Sequence, residues 1–283
     1  MSLRFGYGTN GFGSHRLDDA LAVIAGLGYD GVALTLDHHH LDPFGADLAT
    51  RTAKVGRRLD ELGLGVVVET GARYLLDPLR KHEPTLVSSG DRTPRLQLLT
   101  RAVVVADDLS AEAVSFWSGI QPPATDDDIA WARLCEGVST VLDTAARFGV
   151  TCAFEPEPGM FVDTLAAALE LRRRLGDPEQ LKITLDLGHC VAVEERPVTD
   201  VIKDAGALLA NVQADDMRRG VHEHLEFGDG ELDLPMALGA LLDVGYGGLL
   251  AVELPRHGHA APVVAERSLA ALNTALNQVK EAR

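Results

Sequence analysis

Cysteine is scarce in this chain. Its three thiols, Cys135, Cys152 and Cys190, stand at spacings that fit neither a disulfide framework nor a zinc motif, so a reducing cytoplasm is the expected setting. No apolar run is long enough to span a bilayer, and the opening Met1-Ser2-Leu3-Arg4-Phe5 lacks the apolar core of a signal peptide, so no membrane partner is expected. Positive charge is also in short supply. The 26 Lys and Arg residues stand against 42 Asp and Glu, for a net charge of -16. Such a surface repels phosphate backbones and anionic lipid, which argues against a nucleic-acid partner.

What is present is a regular alternation. With 283 residues, 46% of them hydrophobic, the chain can bury one large core. Short apolar or β-branched runs at 4–8, 31–36, 65–69, 113–117, 151–155, 182–186, 209–213 and 248–253 read as strands. Segments with apolar residues at helical spacing fall between or after them, at 18–27, 47–62, 126–148, 164–175 and 262–280. Repeated βα units of this kind predict an α/β fold, a (β/α)8 TIM barrel forming one domain over residues 1–283. Gly28-Tyr29-Asp30-Gly31 and Gly245-Tyr246-Gly247-Gly248 repeat the same helix stop before the second and last strands. One long irregular stretch, 70–92, follows the third strand and is expected to form a lid or substrate wall.

Polar residues able to hold a metal stand at the ends of four successive strands, where barrel enzymes carry their chemistry. The fifth strand reads Thr151-Cys152-Ala153-Phe154-Glu155 and the sixth ends Asp186-Leu187-Gly188-His189. The seventh reads Ala210-Asn211-Val212-Gln213, and the eighth ends Ala251-Val252-Glu253. A lone carboxylate buried at such a position is costly, so several converging ones imply a cation that neutralises them. Taken singly, Glu155, Asp186 or Glu253 is equally readable as a helix-capping or loop acid; their joint placement favours the metal.

On these residues the chain resembles the xylose-isomerase-like TIM-barrel superfamily, often labelled sugar phosphate isomerases/epimerases, over nearly its whole length. Glu155, the Asp186 to His189 segment, Gln213, the later His222-Glu223-His224-Leu225-Glu226-Phe227-Gly228-Asp229-Gly230-Glu231 stretch and Glu253 carry the likeness. Similarity to its ketose 3-epimerases implies that Glu155, Asp186, Gln213 and Glu253 bind one divalent ion. It implies as well that Glu155 and Glu253 pass a proton across an enediolate, while His189 and Arg219 hold substrate oxygens. The resemblance further suggests a homo-oligomer.

Gln213 stands where those epimerases usually have a histidine. A Gln carbonyl oxygen still ligates a hard cation, and an all-oxygen set favours Mn or Mg, with Co or Zn as the softer options. His224 is the alternative ligand, if the loop holding it and His222 is more than solvated surface. Gln213 also resembles the equivalent residue of 3-dehydroshikimate dehydratases, which makes a metal-dependent lyase of that type or of the inosose-dehydratase type the runner-up. An abasic-site endonuclease shares the barrel, but it needs a multi-zinc cluster and a basic groove that a charge of -16 opposes. A non-catalytic relative is the remaining class.

Other residues are read more narrowly. Trp117 ends a strand and either stacks on a polyhydroxy substrate or simply packs; Glu69 is positioned for substrate hydroxyls. Glu157 is fixed in a loop by Pro156 and Pro158, with no inferable direction. Of Asp37-His38-His39-His40, the histidines cannot all face one ion, because side chains alternate in an extended chain. Cys190 beside His189 is not expected to be a nucleophile. The expected partner is a small polyhydroxy molecule: a free sugar, keto-polyol or cyclitol. A sugar phosphate is less favoured, because no glycine-rich phosphate cradle follows the last two strands.

Overall fold

Each run expected to be extended does form a strand, because β-branched and apolar side chains fill both faces of a parallel sheet covered by helices. The computed structural model describes residues 3–71 and 73–283; Met1, Ser2 and Ala72 are outside that set. In chain order the strands are β1 (Arg4–Gly8), β2 (Gly31–Thr35), β3 (Gly65–Glu69), β4 (Val114–Phe116), β5 (Cys152–Phe154), β6 (Leu181–Asp186), β7 (Leu209–Ala214), β8 (Asp216–Arg218), β9 (Val221–Leu225) and β10 (Leu249–Val252). Eight of them close in parallel as β1-β10-β7-β6-β5-β4-β3-β2, while β8 and β9 form a separate antiparallel hairpin. The chain is therefore a single-domain TIM barrel.

The helices are α1 (Leu17–Leu27), α2 (Leu48–Leu62), α3 (Thr93–Asp108), α4 (Asp127–Phe148), α5 (Leu165–Arg174), α6 (Leu187–Val193), α7 (Val198–Ala205), α8 (Leu234–Asp243) and α9 (Ala261–Ala282). Their apolar stripes pack on the outer face of the barrel, in a core that includes Tyr7, Phe12, Ile24, Phe116 and Phe154. The repeated glycine stop works as its sequence implies. Gly28 and Gly245 take positive φ, and the tyrosine after each is buried with its hydroxyl donated to a carbonyl, of Ala265 and Leu249 respectively. Among the described residues, no helix is long and apolar enough to cross a membrane.

Inside the barrel the two-residue period of a strand sorts side chains into layers. Ala33, Val67, Ala113, Ala153, Leu249 and Ala251 form a small apolar layer near the base. Leu249 reaches so far across that a methyl added at Gly31 would meet its Cδ1 at 2.9 Å. Two residues further along, the same inward faces carry Thr35, Glu69, Ser115, Glu155 and Glu253. Thr184 with Asp186, and Asn211 with Gln213, repeat the step on β6 and β7. The strand pattern that builds the core thus delivers a ring of polar groups to the C-terminal mouth.

Candidate active site

The ladders set the site's geometry. Glu69 pairs with Thr35 on one side and Ser115 on the other, Asp186 pairs with Gln213, and Gln213 pairs with Ala251, two residues before Glu253. These residues lie beneath a cavity of about 480 Å³ whose lining includes Glu69, Trp117, Glu155, His189, Gln213, His224 and Glu253. That volume is ordinary for a small-molecule site. All but one of the residues singled out for function therefore reach this cavity or, for Asp186, its floor.

Gln213 is the organiser. Its amide donates to Glu69 Oε1 at 2.9 Å and to Glu253 Oε2, while its own carbonyl oxygen is buried with no partner among the described residues. Glu253 Oε1 accepts from Asn10 Nδ2 at 2.9 Å, and Glu69 Oε2 from the Thr35 hydroxyl at 3.4 Å. A buried chain of hydroxyls runs across the barrel to Glu155: Asn211 Nδ2 donates to Thr184, Thr184 to Ser115 at 2.8 Å, and Ser115 to Glu155 Oε2 at 3.3 Å.

Asp186 has two roles, one per oxygen. Its Oδ1 accepts from the His189 backbone N–H at 3.0 Å and so caps α6, whereas Oδ2 is buried and has no hydrogen-bond partner among the described residues. The bland reading of this residue as a helix cap is correct for half of the carboxylate. His189 Nδ1 donates to the Pro156 carbonyl at 3.3 Å, which leaves its unpartnered Nε2 as an acceptor 4.0 Å from Asp186 Oδ2. Two acceptors facing each other in a buried site is the arrangement a cation relieves. Glu155, Asp186 and His189 offer ligand atoms within 4.8 Å of one another, as do Asp186, Asp215 and His224. Gly188 has to be glycine: a methyl there would stand 1.8 Å from Asp215 Oδ1.

Burial and mutual repulsion push the acids upward. The Glu155 carboxyl is held well above the usual range by burial, then by Glu253, Glu157 and Asp186. Glu69 is raised likewise, by burial and Glu253, and Asp186 is raised by burial. Burial and Glu253 bring Glu157 to about 7. His189 and His222 are lowered to about 3, chiefly by burial, and so are neutral imidazoles. The carboxylate and amide oxygens of the floor suit a hard divalent cation, and the neutral imidazoles beside them are donors that a softer ion also accepts.

The remaining expectations fare unevenly. His224 lines the cavity with Nδ1 held by the fully buried Asp215, a partner not foreseen from sequence. Trp117 lines the wall, but its ring is engaged by the Arg95 guanidinium at 4.8 Å and the edge of His82 at 5.0 Å, so packing accounts for much of it. Glu157 turns into the cavity, and of the histidine tract His39 and His40 line it while His38 is exposed. Arg219 is not brought to this site. It occupies, with Gly220, the two-residue turn of the β8–β9 hairpin, is exposed, and lines a second cavity beside Cys190 and Glu231. The resemblance that implied a substrate contact for Arg219 needs an open path after β7, and the hairpin reverses the chain there.

Sequence reading also missed Asn10, Ser115 and Arg95. Arg95 begins the first turns of α3 and is 2% exposed; it donates to the carbonyls of His82 (2.6 Å), Pro84 (2.9 Å) and Thr70 (3.4 Å). Those contacts fasten the long 70–92 stretch as a wall, from which Arg73, Lys81 and His82 face the cavity.

Known proteins agree with this architecture. A curated L-ribulose-5-phosphate 3-epimerase, UlaE of Salmonella paratyphi A, is 24% identical over 241 residues, which is 83% of this chain and 81% of that one. A solved L-ribulose 3-epimerase superposes with a TM-score of 0.79 at 20% identity, covering 99% of this chain and 97% of its own. The 3-keto-D-glucoside 4-epimerase YcjR of E. coli gives a TM-score of 0.78 at 18% identity, over 96% of this chain and all (100%) of that one. The sequence pattern of the xylose isomerase-like TIM barrel matches residues 21–275, and the chain belongs to that family.

Proposed function

We propose that this protein is an enzyme, a divalent-metal-dependent isomerase or epimerase that moves a proton next to the carbonyl of a ketose-like substrate. The observation that carries the reading is the cluster of buried Glu155, Asp186 and Gln213 with half-buried Glu253, in which Asp186 Oδ2 and Gln213 Oε1 have no partner among the described residues. The sugar epimerases among its relatives favour the same chemistry. By this reading the protein works in the cytoplasm on a small polyhydroxy molecule.

Glu155, Asp186, Gln213 and Glu253 would hold the ion, with Mn or Mg suited to their oxygens and Co or Zn as substitutes. When bound, it would polarise the adjacent carbonyl and hydroxyl oxygens and so acidify the C–H between them. Glu155, whose basicity is raised by its surroundings, takes that proton. Glu253, tied to Asn10 and Gln213, starts as the acid and delivers its own proton to the other face or to the neighbouring carbon; afterwards Glu155 gives its proton to water and Glu253 takes one up, which restores both. His189, neutral and fixed through Nδ1, steadies a substrate oxygen, and Glu69 and His224 bind hydroxyls. Arg219 has no part in it.

The direct test is incubation of the metal-loaded protein with free and phosphorylated ketoses in D2O. Epimerised or isomerised product that carries deuterium at the exchanged carbon is expected; absence of exchange with the whole panel would contradict the reading. The glutamine in an otherwise oxygen-rich set also fits a lyase, which would instead release water and give a new ultraviolet absorbance from a conjugated product.

The crowded acids make a pH prediction. An acid whose pKa is raised by folding binds more protons folded than unfolded, so deprotonation costs stability. The lowered His189 and His222 work the other way below the ordinary imidazole value of 6.5, so the chelated protein should lose melting temperature as pH rises above about 6.5, where Glu157 at about 7 and the higher Glu155 and Glu69 give up their protons. Saturating Mn should flatten that decline. Parallel melts at stepped pH check it, and a chelated protein that gains stability across the same range would be the contrary result.

A further inference from the structure

The cavity has two ends of opposite character. Its floor is the carboxylate cluster; its rim carries Arg73 and Lys81 from the wall at 70–92 and Arg256 from the turn after β10. In a chain with 26 basic residues against 42 acidic ones, three cations converging from two distant segments on one opening is not a consequence of composition. Among the described residues none of the three forms an ion pair, and Glu157 in the same cavity acts on Lys81 only from a distance. Asp77, on the same wall, is engaged by Arg80 at 2.7 Å, and Glu83 accepts from Ser88 at 2.6 Å. Arg256 donates only to a backbone carbonyl, that of His222, at 3.4 Å among the described residues.

The rim is also prearranged. The His82 N–H donates to the Arg73 carbonyl at 2.5 Å, closing the stretch that holds both Arg73 and Lys81, and Arg95 clamps its far end. Burial and then the charge of Arg73 lower the Lys81 pKa, with Arg256 adding to them against the opposing pull of Glu157, so the cationic neighbours outweigh the one acid that acts on it.

We propose that Arg73, Lys81 and Arg256 form an anion subsite, and that the substrate is a ketose bearing a phosphate monoester on the end remote from its reacting carbonyl. The substrate part of this rests on the epimerase reading above. A dianion is favoured over a carboxylate because three cations exceed what one monoanion needs, and one bidentate arginine already satisfies a carboxylate. The missing glycine-rich cradle excludes only one way of holding phosphate; side-chain cations are another. A sugar in the cavity would then lie with hydroxyls on the acidic floor and its phosphate at the rim.

Two measurements test this on the metal-loaded protein. Calorimetric titration with inorganic phosphate at low ionic strength should detect binding that weakens about 10- to 100-fold in the Arg73→Gln/Lys81→Gln double variant. Loss in these rim variants distinguishes the subsite from phosphate held at the centre. Circular dichroism verifies that the double variant is folded, and Lys81→Arg should retain binding. In turnover assays, ketopentose 5-phosphates should exceed the free ketopentoses in kcat/KM, with that preference falling about 10- to 100-fold in the double variant. Equal turnover of free and phosphorylated ketoses, or phosphate binding indifferent to the substitutions, would overturn the subsite and leave the epimerase reading standing. Phosphate binding lost in the double variant, with no ketose turned over, would support the subsite and overturn the epimerase reading.

Discussion

Glu155→Gln should lower kcat by about 10²- to 10⁴-fold, the range for removing a general base, and abolish solvent deuterium exchange into the substrate. The same substitution should not destabilise the chelated protein. Glu155 is 6% exposed and crowded by Glu253, Glu157, Asp186 and Glu69, each of which raises its pKa. An uncharged isostere removes that repulsion, and an amide can still accept from the Ser115 hydroxyl. Activity and stability should then move in opposite directions, as expected where a functional site stores unfavourable electrostatics. Steady-state kinetics alongside chelated melting curves check both. A variant that loses activity and melting temperature together would make Glu155 a structural residue.

The largest stability loss is expected outside the proton-transfer residues. Asp216 is 1% exposed, and its two oxygens accept from four backbone N–H groups: Met217 at 3.0 Å, Gly228 at 2.8 Å, Gly230 at 3.0 Å and Leu232 at 2.8 Å. One carboxylate thus ties the β8–β9 hairpin, which carries His222 and His224, to the turn that follows. Gly230 is pressed so closely that an added methyl would stand 2.3 Å from Asp216 Oδ1. Asp216→Ala leaves those donors without their acceptor and should cost about 3–5 kcal/mol. Asp216→Asn keeps one oxygen but turns the other into a donor facing two N–H groups, so roughly half that loss is expected. Denaturant unfolding of the three proteins measures it; an alanine variant within about 1 kcal/mol of wild type would mean that the loop is held by something else.

Much of this was legible in the sequence, for a physical reason. Barrel strands are buried on both faces, so they read as short apolar runs, and a polar residue at the end of such a run has nowhere to go but the mouth. Glu69, Glu155, Asp186, Gln213 and Glu253 were all found this way. Helices were harder where amphipathic contrast is weak. Six of the seven residues of α6 are buried, leaving no polar face to set a period, and α8 offers a nearly unbroken apolar run after its Asp233 cap. The missed α3 follows the polar wall directly, and α7 is only eight residues long. The β8–β9 hairpin was read as loop because its strands, Asp-Met-Arg and Val-His-Glu-His-Leu, are charged and short. That one error displaced Arg219. The partners of site residues, Asn10 for Glu253 and Asp215 for His224, depend on convergence across the barrel and leave no trace in local spacing.

The central claim is that the acidic floor holds a divalent ion, and metal analysis with Mn titration by thermal shift, on wild type and Asp186→Asn after chelator treatment, tests it most directly. One equivalent of metal per chain is predicted for the wild type, with a rise in melting temperature on adding Mn. In Asp186→Asn, whose Oδ2 becomes or competes with an amide nitrogen that cannot ligate, both should be lost while the fold persists. A wild type that takes up no metal, or an Asp186→Asn variant stabilised as much as the wild type, would contradict the account.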